Sequence, residues 1–80
     1  MTVEVNNDRL AVEIKWDASA LTGDTVDLRA TNPDNDDVST RDGIKNDGYA
    51  TVTFPSDYSG STHITITDAD GNVEEGDITV

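Results

Sequence analysis

Ile64-Thr65-Ile66-Thr67-Asp68-Ala69-Asp70-Gly71-Asn72 carries two signals side by side. Ile64 and Ile66 alternate with polar neighbours, the period-two pattern of a half-buried strand. Asp70-Gly71 follows, a dipeptide suited to a hairpin turn because glycine takes positive φ without strain. A second strand is then expected to return to the C-terminus, where Ile78 and Val80 share a face. Val73 has the opposite parity, so Gly76 is read as a bulge that resets the register.

The same alternation runs through the rest of the chain. Val3 and Val5 fall on one face of a first strand, and Leu10, Val12, Ile14 and Trp16 on one face of a second. Val26, Leu28 and Ala30 line a third, and Ala50, Val52 and Phe54 line a later one. Turn signals separate them: Asn6-Asn7-Asp8, Thr22-Gly23-Asp24, the polar loop Asn32 to Asp37 with Pro33, Asp42-Gly43 and Asp47-Gly48. Val38 and Ile44 are the only large aliphatics between Ala30 and Ala50, so a short or irregular edge strand is expected there. Ala18 to Leu21 suits one short helical turn. Val, Ile and Thr make up 24 of the 80 residues, a β-branched load that favours strands. About seven short strands with turns every 8 to 12 residues predict an all-β, antiparallel two-sheet sandwich, with a small closed barrel as the alternative.

Eighty residues make one domain, 1–80. The size scaling gives about 4,700 Å² of folded surface, and hence a thin core that Trp16 is expected to fill. There is no cysteine, which removes disulfides and thiolate chemistry. Seventeen acidic residues, 13 of them Asp, face five basic ones, for a net charge of -12. That balance excludes an ordinary nucleic-acid footprint and disfavours an anionic membrane. The longest apolar run is Leu10-Ala11-Val12, too short to span a bilayer, and Met1 to Glu4 lacks the features of a signal peptide.

From Asp47-Gly48-Tyr49-Ala50-Thr51-Val52-Thr53-Phe54-Pro55 through Tyr58-Ser59-Gly60 to Ile78-Thr79-Val80, the C-terminal half resembles the last three strands of bacterial and archaeal immunoglobulin-like domains, PKD-like repeats included. The N-terminal half, with Trp16 inward and Val26-Asp27-Leu28-Arg29 next, looks like a fibronectin type III pattern. The resemblance implies an immunoglobulin-like sandwich and leaves the task open. A single such domain, starting at its own methionine and stopping on a strand, resembles the small accessory proteins of tailed-virus particles: capsid decoration, turret and tail components. High Asp and low Lys resemble proteins of halophilic archaea and their viruses.

No catalytic, cofactor-binding or metal residues are assigned, and the chain is read as a non-enzyme. Asp68, Asp70, Asn72 and Glu74 alternate around a glycine as in several calcium loops, but the longer ligand set of an EF-hand is absent and a plain hairpin turn explains them. Asp34, Asp36 and Asp37, with Asp42, read as a solvated acidic loop, with a bound calcium ion as the alternative. His63 is the only histidine; it falls outward, on the same face as Ser61, with nothing to mark that serine as activated. Trp16 and Phe54 are expected inside and Tyr49 outside, with Tyr58 capping a turn as a tyrosine corner does. A sugar platform would need Trp16 exposed. The expected partner is a viral capsid or tail protein, or a second copy of the chain, with no nucleic acid or membrane. The expected location is the virion, assembled in the host cytoplasm. The edge from Val38 to Ile44, with Arg41 and Lys45, is the least acidic stretch and the candidate contact. A stand-alone carbohydrate- or protein-binding module at a cell surface is the alternative.

Overall fold

The computed structural model describes the backbone of residues 2–5 and all of residues 11–80. Leu10 and the turn Asn6-Asn7-Asp8 lie outside the described residues. Seven strands follow in order: β1 (Thr2–Val5), β2 (Ala11–Lys15), β3 (Thr25–Thr31), β4 (Asp37–Lys45), β5 (Tyr49–Thr53), β6 (Ser61–Thr67) and β7 (Val73–Thr79). They form a three-stranded sheet ordered β1-β2-β5 and a four-stranded sheet ordered β4-β3-β6-β7, with every pairing antiparallel. This is an all-β, two-sheet antiparallel sandwich in which the fourth strand pairs with the third. One 3-10 turn, Ala18–Ala20, joins β2 to β3, capped by Asp17. Among the described residues no helix is long and apolar enough to cross a membrane.

The alternating residues meet between the sheets. Val12, Ile14, Trp16, Ala50, Val52 and Phe54 come from one side. Val26, Leu28, Ala30, Ile64, Ile66 and Ile78 come from the other. Each sheet thus buries one face and leaves the other to water, as antiparallel sheets do. The accessible surface, 4752 Å², agrees with the size scaling. Thr62 is also buried, on the inward parity of Ile64. Its hydroxyl donates to Gly60 O (3.3 Å) and meets the Tyr58 hydroxyl at 2.7 Å. Trp16 is 6% exposed, and its indole N–H donates to Asn46 Oδ1 at 2.9 Å.

Two local expectations need correction. Asp42-Gly43 is no turn: it lies inside β4, the longest strand, as a bulge opposite Asp27. Gly43 has φ +65°, and its amide donates to Asp27 Oδ1 at 2.8 Å. A bulge and a tight turn both want a glycine at positive φ, so the dipeptide alone does not separate them. Gly76 is no bulge: β6 and β7 pair without a break from Ser61↔Thr79 to Thr67↔Val73. Val73 therefore points outward and is exposed at 47%, and no register reset is needed. The middle strand is irregular and at an edge, as expected, but it is nine residues long.

The sheets are also tied along one side. The Ser39 hydroxyl donates to Thr53 O (2.8 Å), and Arg41 Nη1 donates to Thr51 O (2.8 Å). Side chains of β4 thereby cap carbonyls on the free edge of β5, in place of the ladder that would have closed a barrel.

Candidate functional site

The residues with chemical potential are distributed over three places, and in each the local structure claims them. The first is the β6–β7 turn. Asp68 N donates to Asn72 O and Gly71 N to Asp68 O, with Gly71 at φ +87°, which makes a turn closed by a left-handed residue. The Asp68 carboxylate is buried at the centre of this turn. Its Oδ1 accepts from the amides of Asp70 and Asn72, both at 2.9 Å. Its Oδ2 accepts from Thr22 N (2.7 Å) and Asn72 Nδ2 (2.9 Å). The Thr22 hydroxyl, 3.1 Å from Asp68 Oδ2, is shared with Asp70 Oδ2. These donors, the Thr22 amide first, hold the Asp68 carboxyl well below the usual carboxylate range. A calcium ligand must turn its lone pairs to the ion; those of Asp68 are taken by N–H and O–H groups. The hairpin itself supplies the amides of Asp70 and Asn72 and the Asn72 side chain, and the segment before β3 supplies the Thr22 amide and hydroxyl.

The loop between β3 and β4 repeats the same design with other residues. Asn32 Oδ1 accepts from the amides of Asp34 and Asp36, both at 3.0 Å. Asn32 N donates to Asp36 O, and Asn35 N to Asn32 O. Asn35 has φ +64°, the position that Gly71 holds in the other turn. The structure spreads the four acidic candidates of this region apart. Asp34 and Asp36 are in the loop, Asp37 pairs with Arg29 Nε at 3.3 Å, and Asp42 sits at the bulge beside Asp27. Among the described residues no group of three His, Cys, Asp or Glu side chains is placed to hold a metal.

The third place is the outer face of the four-stranded sheet, where His63 pairs across the strands with Asp77. His63 Nδ1 and Asp77 Oδ1 are 2.7 Å apart, and Nε2 lies 3.8 Å from Glu75 Oε2. The Asp77 hydrogen bond raises the His63 pKa above its ordinary value, against an opposing effect of burial. Ser61 and His63 both border a hollow of about 120 Å³. The second ring nitrogen, however, faces Glu75, whose register partner is Thr65, two positions along β6 from His63 and away from Ser61. The arrangement therefore does not present His63 as a base to Ser61. A second depression of about 260 Å³ lies over β3 and β6, lined by Asp27, Arg29, Asp42, Thr65 and Thr67 with Leu28 beneath.

The aromatics divide as the alternation implies. Trp16 and Phe54 are buried, and Tyr49 is exposed at 48%. Phe54 and Tyr58 stack with centroids 5.6 Å apart. The Tyr58 hydroxyl bonds forward, to Ser61 O at 3.2 Å, whereas a tyrosine corner bonds backward along the chain. Arg41, offered by the sequence as a contact residue, is engaged with Thr51 O. The sequence did not reveal that role, because a guanidinium on an edge strand has no spacing signature for a carbonyl on another sheet.

Comparison with protein-family models, with curated proteins and with solved structures finds no match to this chain.

Proposed function

We propose that this chain is a non-enzymatic structural accessory protein of a virus particle, docked on a capsid or tail lattice by surface complementarity in a high-salt setting. The observation that supports this reading is how the polar side chains are used. Asp68, Asn32, Asn46 and Arg41 each bind the chain's own backbone or core. Recognition is then left to sheet faces and edges, which suit a broad protein contact better than a small substrate. A charge of -12 favours a partner approached in concentrated salt, where the Debye length shrinks to about 3 Å at 1 M.

The test is size fractionation of native-source material in molar salt, with mass spectrometry for this chain. Co-migration with particles of megadalton mass, at a constant ratio to a major shell protein, is the expected result. Migration at monomer or small-oligomer size overturns it. The second reading is a stand-alone binding module, for which exposed Tyr49 is the specific feature. Trp16 could not serve there as a sugar platform, since it is buried.

A further inference from the structure

Aspartate followed by glycine is a dipeptide open to backbone rearrangement, because no Cβ shields the glycine nitrogen from the neighbouring carboxyl. The chain has three such pairs: Asp42-Gly43, Asp47-Gly48 and Asp70-Gly71. The fold treats them differently. In β4 the Gly43 amide donates to Asp27 Oδ1 at 2.8 Å, and the residues around it are held in the ladder with β3. In the β6–β7 turn the Gly71 amide donates to Asp68 O at 3.3 Å, and Asp70 Oδ2 accepts from the Thr22 hydroxyl. Both reacting groups are engaged there. The third pair lies in the three-residue connection from β4 to β5, where the chain crosses from one sheet to the other. Asp47 is exposed, and its Oδ1 accepts from the Tyr49 amide at 3.2 Å. Among the described residues no acceptor is placed for the Gly48 N–H.

We propose that Asp47 is a site of spontaneous isoaspartate formation in the folded protein, and that the fold guards Asp42 and Asp70 against the same reaction. The Gly48 nitrogen attacks the Asp47 carboxyl carbon. An N–C bond forms, the nitrogen loses its proton, and a carboxyl oxygen leaves as water. The product is a five-membered succinimide. Water then adds back to the ring. When it breaks the bond between the nitrogen and the original main-chain carbonyl, the chain runs on through the side-chain carbon and the old carbonyl becomes a carboxylate. No reactant besides water takes part. A glycine whose N–H is already donated must first give up that hydrogen bond. Gly43 and Gly71 carry this cost, and Gly48 does not. A connection between strands also opens more readily than a paired strand.

The damage falls on Trp16. Asn46 Oδ1 accepts the indole N–H at 2.9 Å, and Gly48 O accepts the Trp16 main-chain N–H at 3.0 Å. Asp47 joins these two anchors. An isoaspartyl link adds one methylene to the main chain between them and draws at least one of them off Trp16. This inference concerns the chemical ageing of the chain and is independent of what the chain docks on.

The experiment is incubation of the full chain in mildly acidic molar KCl and, in parallel, in guanidinium chloride. Isoaspartate is located by peptide mapping with electron-transfer fragmentation. In the folded chain it should accumulate at Asp47 about fivefold faster than at Asp42 or Asp70, the factor that corresponds to one hydrogen bond. In denaturant the three rates should converge. Asp47→Glu cannot close a five-membered ring, so the product at that position disappears. Trp16 fluorescence, which should shift to longer wavelength as the parent ages, then stays constant. Asp27→Ala frees the Gly43 amide and should raise the rate at Asp42 about fivefold. Circular dichroism confirms that both variants are folded. Equal rates at the three sites in the folded chain overturn the proposal. So does a lead for Asp42 or Asp70, or an absence of product at Asp47 while the denatured chain accumulates it. A rate at Asp42 that Asp27→Ala leaves unmoved overturns the guarding role of the Gly43 hydrogen bond.

Discussion

Asp68 and His63 are both ionisable, and the fold moves them in opposite senses. His63 is raised by Asp77, so its pairing contributes stability in full below the ordinary histidine value of about 6.5 and loses it as pH rises through the folded value. An NMR titration of His63 should give a midpoint above 6.5, and Asp77→Asn should bring it back down; an unchanged midpoint in that variant would remove Asp77 as the cause. Asp68 is lowered by its donors, so its contribution is present above the ordinary aspartate value of about 3.9 and is lost as pH falls toward the folded one. Acid unfolding below about pH 4 should accordingly lose its steepest part in Asp68→Asn, read by circular dichroism. Gly48 is constrained twice over. Its φ is +83°, and an added Cβ would stand 2.9 Å from Trp16 O. Gly23 shares the backbone conformation at φ +84° but has nothing within 4 Å. Gly48→Ala should therefore cost about 2 kcal/mol in a denaturant melt and Gly23→Ala about 1 kcal/mol, the difference measuring the close approach. Equal costs would mean that the Trp16 carbonyl moves aside freely.

Among the elements, β4 shows where reading a sequence succeeds and where it stops. The strands that carry the core were legible because Val12, Ile14, Leu28, Val52, Ile64 and Ile66 alternate without interruption, and burial on one face enforces that period. In β4 the alternation is broken by Asp42-Gly43, and only Val38 and Ile44 pack on the core. A bulge has no apolar signature, so the strand could be placed but its length could not. Gly76 failed the other way: the parity of Val73 looked like a conflict only while Val73 was assumed to be buried. The turn at Asp68 was legible as a turn. Its tie to Thr22, 46 residues earlier, was not, because no local pattern encodes a partner at that distance. The β4–β5 seam belongs to the same class, and its strength can be measured. Arg41→Met keeps the stem and loses the donor, and should cost about 1 kcal/mol in a thermal or denaturant melt. No loss would mean that water replaces the guanidinium at Thr51 O without penalty.

For the whole molecule the governing quantity is charge on a small body. Twelve net negative charges lie within a radius of gyration of 11.9 Å, about one Debye length in 0.1 M salt. Carboxylates throughout the domain repel one another in dilute buffer, and molar salt removes most of that repulsion. The melting temperature should rise by more than about 5 °C between dilute buffer and molar KCl, equivalent to roughly 1 kcal/mol for a domain of this size. A melt that does not move would contradict the high-salt setting, and a calcium effect far beyond equal ionic strength of KCl would point to a bound cation. The two matching turns have one further consequence. Asn32-Pro33-Asp34-Asn35-Asp36 and Asp68-Ala69-Asp70-Gly71-Asn72 trace the same hydrogen bonds with few residues in common. Each turn asks for a side-chain acceptor at its first place and a residue tolerant of positive φ at its fourth. At Asp34 and Asp36 it uses only the main chain, and the carboxylates there are spectators of the geometry. Net charge and shape are thus separately adjustable in this molecule: a solvent or a partner can be matched by rewriting the spectators, while the backbone they decorate stays as it is.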